Sequence, residues 1–422
     1  MRGLILVGLH CMNKLVFCLI PGLDLRKISP DQTPYIAELL SSQPWATVKT
    51  LPSPEHLSTI VTGMKPHRHQ IWQTRLREIS GRSLSQRVID TLPDFMTTTA
   101  QAVIHQLLGC CDVPTIPPRR RRAFDFRRLK FRGRANTRDL LEQLNGVKSI
   151  VDVVGEDRCR YRFSDRASDA PRLVAEVCEE EGVDLEFVQF HALDMLGHWQ
   201  IDSPEEFRRY YGMVDGFVRE LHRKCEAKRF GLVLMTDHGQ ERVSTSVDLG
   251  RLIRRLDIPR SEFAYYLQPV MARFWFHSER AGMAISQMLS EVKQGIAMSY
   301  EEMHCLGVEF TGPEFGELYF IAEPGCLFFP HDFHHPLVNF VFGMKDWQQR
   351  NRLWNPRHIA YHGYLPQHEC EKGFMAVLDD RYEPDSTVIS LVDIAPSLLG
   401  LLGREPPDWM DGTSRFAKRQ PM

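Results

Sequence analysis

Gly231-Leu-Val-Leu-Met235-Thr236-Asp237-His238-Gly239 joins a short apolar run to a carboxylate, an imidazole and a glycine. Apolar residues without polar alternation indicate a strand buried on both faces, as in a parallel sheet. The run follows Pro204 to Cys225, where apolar residues recur at helical spacing. Two further stretches have the same form. Leu185 to Phe190 follows a helical segment, Ala170 to Glu181, and runs into His191-Ala-Leu-Asp194-Met-Leu-Gly-His198. Lys14-Leu-Val-Phe-Cys-Leu-Ile20 closes at Pro21-Gly22, and Thr33-Pro34 then opens a helical stretch over Tyr35 to Leu40. Strands alternating with helices predict an α/β fold with a mainly parallel central sheet flanked by helices. Ligands of such sheets gather at the carboxyl ends of the strands. Those ends carry the Asp and His residues here.

Toward the C-terminus, His362-Gly363-Tyr364 precedes a strand candidate, Gly373 to Leu378, and Val392 to Gly400 reads as a terminal helix. Between residues 243 and 355 the pattern changes. Arg273 to His277 and Glu317 to Ile321 read as strands with a helix, Ala281 to Lys293, between them. This predicts a smaller α+β insert capping the sheet. The expected division is a leader over 1–13, a core over 14–242 and 356–405, the capping insert over 243–355 and a tail over 406–422. A basic insertion, 117–134, interrupts the core. Nine of its sixteen residues from Arg119 are Lys or Arg, interleaved with Phe124, Phe126 and Phe131. It reads as a solvated loop rather than a specific nucleic-acid site.

Composition narrows the function classes. Fifty-two Lys and Arg against 54 Asp and Glu leave a net charge of −2, so no global field would hold the chain on nucleic acid or an anionic membrane. Ten cysteines in 422 residues, none in a Cys-x-x-Cys pair, read as free thiols in a reducing compartment. His10, Asn13 and Lys14 break the apolar run Leu4 to Leu9, which argues against a signal h-region, and no run is long enough to span a membrane. The expected location is the cytoplasm.

A catalytic divalent ion takes about three protein ligands from His, Asp and Glu and keeps one position open. Asp194-x-x-x-His198 can put both ligands on one side of a helical turn. Adjacent Asp237 and His238 reach one ion where the backbone bends, and His362 precedes a third strand. Together these predict a metal centre. Upstream, Pro52-Ser53-Pro54-Glu55-His56 leads into an apolar helical stretch whose free N–H groups favour an anion beside Ser53, the nucleophile candidate. Pro330-His331-Asp-Phe-His334-His335-Pro336 reads as a loop at the site's mouth rather than a metal cluster. Trp347 and Trp354 read as packing residues.

The order Ile-Pro-Gly-Leu, Thr-Pro, Pro-Ser-Pro-x-His, Ile-Val-Thr-Gly-Met-x-Pro-x-x-His69-x-Ile71, Asp-x-x-Gly-His, Thr-Asp-His-Gly and His-Gly-Tyr resembles the alkaline phosphatase superfamily. The most similar branch is the type I phosphodiesterase/nucleotide pyrophosphatase group. The resemblance implies a metal-dependent hydrolase of phosphodiester or nucleotide pyrophosphate bonds acting through a seryl-phosphate intermediate on a small phosphorylated substrate. It makes Ser53 the nucleophile and His56, where the family often has Asn, a phosphoryl contact. Asp194, His198 and His362 would hold one zinc ion, and Asp237 and His238 a second. His69 is structural on this reading. One departure stands out. The family's first strand ends in a metal-ligating Asp, and this chain has Pro21, with Asp24 the candidate replacement three residues on. That departure keeps open a catalytically impaired, phosphoryl-ligand-binding homologue. The motifs also leave open a phosphonate, sulfate-ester or phosphomonoester hydrolase.

Overall fold

Strand β1 (Leu15–Leu19) is buried along its whole length and its side chains serve two cores. Leu15, Phe17 and Leu19 pack into the cluster on one face of the sheet. Val16 and Cys18 pack into the cluster on the other. Alternate residues of a strand point to opposite faces, so a polar residue anywhere in this run would be stranded in a core. A computed structural model of the chain describes residues 12–53, 56–72, 75–76, 96, 124–125, 136–310 and 312–419. The expected leader up to residue 11, and most of the basic insertion with Phe126 and Phe131, lie outside the described residues.

Around β1, the strands in chain order are β2 (Trp45–Lys49), β3 (Cys159–Ser164), β4 (Leu185–Phe190) and β5 (Gly231–Thr236). A second sheet is built from β6 (Phe263–Leu267), β7 (Met271–Phe276), β8 (Gly295–Ser299) and β9 (Leu318–Ala322). The chain then returns to the central sheet as β10 (Gly373–Val377) and β11 (Val388–Ser390). The central sheet has seven strands in the order β11-β2-β10-β5-β1-β4-β3. Strand β1 lies parallel to both β4 and β5, β3 parallel to β4, and β11 parallel to β2. Only β10 runs against its neighbours, β2 and β5. Its first residue is Gly373, where an added Cβ would lie 2.2 Å from the Thr236 carbonyl oxygen. The expected α/β fold with a mainly parallel sheet is the one observed.

Helices cover both faces. Pro34–Ser42 forms α1, Leu57–Thr62 α2, Ala192–Trp199 α3 and Pro204–Lys228 α4. The apolar face of α4, through Tyr210, Tyr211, Val214, Phe217, Val218 and Leu221, joins the core that holds Val16 and Cys18. A capping box starts it, with Ser203 Oγ accepting from the Glu206 N–H and the Glu206 carboxylate accepting from the Ser203 N–H. Among the described residues no helix is long and apolar enough to cross a membrane.

In the segment that holds the second sheet, the antiparallel order is β6-β7-β9-β8. Helix Glu279–Ser290 buries Ala281, Ile285 and Leu289 in the core beneath it. Trp72 packs against Phe310, Phe315 and Tyr319 of this segment. Trp347 and Trp354 depart from the packing role expected of them: they are 50% and 80% exposed.

Candidate active site

The ends of β4 and β5 bring the acidic and imidazole groups together. Strand β4 passes at Phe190 into His191 and α3, which carries Asp194 and His198 one turn apart on the same side. Strand β5 ends at Thr236, whose Oγ1 donates to the His238 carbonyl 2.9 Å away and folds the turn bearing Asp237 and His238. His362 follows Ala360–Tyr361, a short strand paired with Glu241–Arg242 just beyond that turn. His56, Asp194, His198, Asp237, His238 and His362 are all buried.

Asp194 is the hub of the first group. Its Oδ2 lies 3.1 Å from His191 Nε2 and 3.3 Å from His198 Nε2, and its Oδ1 lies 3.4 Å from His362 Nε2. Gln240 Nε2 donates to Asp194 Oδ1 at 2.6 Å and to the Asp194 carbonyl at 3.0 Å. Space for that amide comes from Gly197, the glycine of Asp-x-x-Gly-His. A Cβ there would sit 1.7 Å from Gln240 Oε1. Gly22, at φ +78°, lets the end of β1 approach α3, since its Cβ would lie 2.9 Å from Asp194 Cα.

Backbone carbonyls set the tautomers. A carbonyl only accepts, so His198 Nδ1 donates to Ala360 O at 2.8 Å and His238 Nδ1 donates to Gly239 O at 2.9 Å. His56 Nε2 donates to Leu51 O at 3.1 Å. In each neutral ring the other nitrogen keeps its lone pair, and in each case it faces a carboxylate. His238 Nε2 and His56 Nδ1 lie 3.6 and 3.4 Å from Asp237 Oδ2. The His238 and His362 rings stack at 3.6 Å between centroids, 9° from parallel.

Two overlapping sets of side chains could hold a cation: Asp194, His238 and His362, and His56, Asp237 and His238, with ligand atoms within 4.8 Å of one another in each set; His238 has one free nitrogen and can serve only one ion at a time. Tetrahedral ligands on zinc stand roughly 3.4 Å apart, given bonds of about 2.1 Å. The separations of Asp194 Oδ1 from His362 Nε2, 3.4 Å, and of Asp237 Oδ2 from His56 Nδ1 and His238 Nε2, 3.4 and 3.6 Å, match that spacing. His56 Nδ1, Asp237 Oδ1 and His362 Nδ1 are buried without a hydrogen-bond partner. Buried lone pairs left facing one another are costly without a cation or proton between them. The residues fit a divalent metal. Electrostatics agree: burial opposes ionisation of Asp194, yet the His198, His191 and His362 rings hold its carboxyl well below the usual range. Burial and the neighbouring His238 ring keep His362 neutral, as a ligand must be.

His198 Nε2, 3.3 Å from Asp194 Oδ2, stays within ligand reach of the first group while its ring stacks on His362 at 5.2 Å, and His238 lies near both groups. His56 stands with Asp237 and His238. Ser53 is fully buried; its N–H donates to Leu51 O at 2.7 Å, the same carbonyl that receives His56 Nε2, and its Oγ donates to Trp72 O at 3.3 Å. His69 accepts from the Ile71 N–H at Nδ1 and donates to Thr59 Oγ1 at 3.0 Å, a structural arrangement. Asp24 does not join either set. Its two carboxylate oxygens accept from Arg26 at 3.0 and 2.7 Å, and Lys27 Nζ stands 3.6 Å away. Among the described residues His331 is linked to the site through His358, with centroids 5.9 Å apart, and His358 packs on His198 at 5.3 Å.

Three residues of the site escaped the sequence reading. His191 and Gln240 flank the recognised motifs but carry no spacing signal of their own. Glu371 lies nine residues past His362 and accepts at Oε1 from the Gly363 and Tyr364 N–H groups at 2.8 and 3.0 Å. It thereby pins the backbone behind His362.

Comparison with known proteins bears on this geometry. No curated protein matches the chain in sequence. Among solved structures, murine ectonucleotide pyrophosphatase/phosphodiesterase 5, as an inactive variant in complex with AMP, is similar at a TM-score of 0.57 and 13% identity, over 93% of this chain and 95% of that one. The human protein is similar at the same score and identity, over 95% of this chain and 97% of that one. At such identity the likeness concerns the fold. The sequence profile of the type I phosphodiesterase / nucleotide pyrophosphatase family matches residues 15–331, and the chain belongs to that family.

Proposed function

We propose that the protein is a metal-dependent hydrolase of phosphodiester or nucleotide pyrophosphate-type bonds that works through a phosphoseryl intermediate on Ser53. The observation carrying this reading is the convergence of Asp194, His198, His362, Asp237 and His238 at the strand ends. Bound divalent ions, zinc on this reading, would neutralise charge on the transferring phosphoryl group and favour the ionised serine nucleophile. Ser53 Oγ attacks phosphorus, the bond to the leaving oxygen breaks, and water then cleaves the seryl–phosphorus bond. Trp72, packed under Phe310 and Phe315, screens the Ser53 segment from bulk water. Gln240 and His191 hold the Asp194 carboxylate in place, while Glu371 holds the loop that presents His362. Residues 243–355 act as the cap that selects substrate. A cytoplasmic setting accords with the free thiols of the seven described cysteines.

The test is a panel of phosphodiesters, phosphomonoesters, phosphonates and sulfate esters with added zinc. Aryl phosphodiesters or nucleotide pyrophosphates should turn over fastest, and Ser53→Ala should lower that rate by at least roughly 10³-fold. Preferential cleavage of another ester class would reassign the substrate. Pro21 favours a second reading, an impaired homologue that binds a phosphoryl ligand. AMP binding without turnover of any substrate in the zinc-supplemented panel would establish it.

A further inference from the structure

We infer that His56 supplies the third protein ligand of the second cation site, in place of the carboxylate that residue 21 lacks. The inference rests on the metal-dependent reading above and reassigns His56 from a phosphoryl contact to a metal ligand. Ile20 N–H donates to Met235 O at 2.9 Å, and Gly22 N–H donates to His238 O at 3.1 Å. Residue 21 is therefore held abreast of the β5 terminus, beside Asp237. A carboxylate there would share an ion with Asp237 and His238, but Pro21 has no donor atom. Asp24 cannot take over while both its oxygens are held by Arg26.

His56 stands against the same Asp237 carboxylate. Its ring is fully buried and its Nε2–H is committed to Leu51 O, so the Nδ1 lone pair is the one directed at Asp237. The 3.4 Å from Nδ1 to Asp237 Oδ2 and the 3.6 Å from His238 Nε2 to the same oxygen are both close to the spacing of two ligands on one zinc ion. Nδ1 has no hydrogen-bond partner, and Asp237 Oδ1 has none either. Exchanging a carboxylate for an imidazole makes the ligand set two nitrogens and one oxygen and removes one negative charge. Imidazole suits zinc, and carboxylate and water suit magnesium and calcium. The second site should thus select zinc or a similar transition ion over magnesium.

The experiment measures metal, not turnover. The full-length protein is loaded with zinc, freed of excess by gel filtration and assayed by elemental analysis, with circular dichroism as the folding control. Wild type should hold two equivalents. His56→Asn should hold one, with affinity for the second zinc ion weakened at least tenfold, and Pro21→Asp combined with His56→Asn should return the count to two. Anomalous diffraction at the zinc edge from wild-type crystals needs no variant and should place a peak about 2.1 Å from His56 Nδ1. Two full-affinity equivalents in His56→Asn, a single equivalent in wild type, or an anomalous peak on Asp237 and His238 remote from His56 would each overturn the inference. Full metal loading without hydrolysis would instead sink the proposed activity and leave the ligand assignment standing.

Discussion

One methyl group at position 197 would collide with the amide that orients Asp194. Gly197→Ala places a carbon 1.7 Å from Gln240 Oε1, so Gln240 must leave its bond to the carboxylate. Alanine favours a helix interior by about 1 kcal/mol over glycine, so the fold itself should tolerate the change. Zinc affinity should fall by about 10- to 100-fold, as happens when a partner orienting a metal ligand is lost. Competition with a chromophoric chelator measures this, and an unchanged affinity with intact secondary structure would remove Gln240 from the site's machinery. Glu371 makes a second prediction at this scale. Burial pushes its carboxyl from the ordinary 4.5 up to about 8 in the folded chain. Between those values the unfolded chain has released a proton that the folded chain retains. Stability therefore falls as pH rises through this window, at up to about 1.4 kcal/mol per pH unit. Glu371→Gln keeps an acceptor for the Gly363 and Tyr364 N–H groups and should flatten that slope. Melting temperatures of both proteins between pH 5 and 8 decide the matter; parallel curves would mean that another group titrates.

Among the elements, β1 carries the largest share of both cores for its length. Phe17 is fully buried and sits 4.5 Å from the Phe187 ring of neighbouring β4. Phe17→Ala should cost about 3–5 kcal/mol in chemical denaturation. A loss below about 1 kcal/mol would mean that the two sheet faces repack freely. The strands buried on both faces could be read from local pattern, because a run such as Leu185 to Phe190 has only one stable home. Strand β2 could not. Its Trp-Ala-Thr-Val-Lys alternates buried with half-buried or exposed positions, and its partner β10 lies more than 300 residues away. The reversed direction of β10 was equally hidden, since an apolar run reads the same in either sense. Helix α3 was legible from Asp194-x-x-x-His198, but the closeness of Gln240 to its glycine was not.

Across the whole molecule, the metal-binding reading couples the site to global stability. Each ion that binds only the folded chain adds about 2.7 kcal/mol at a free concentration 100 times its dissociation constant. Treatment with a chelator should lower the melting temperature by several degrees and zinc should restore it, whereas magnesium should restore it less. A melting temperature indifferent to both would argue against bound metal. Periodicity and end-of-strand chemistry along the chain were enough for the fold class, for the Asp and His residues that gather, and for the resemblance that names the family. These features depend on neighbours within a few residues, which a linear reading can see. The pairing of lone pairs with carboxylates came from the folded chain. His56 meets Asp237, His238 stands with both groups, and Asp24 turns to Arg26, because each ring's direction is set by a backbone carbonyl or side chain that the fold brings near. An imidazole 181 residues from its carboxylate partner leaves no periodic trace, and only the packed strand ends place the two 3.4 Å apart.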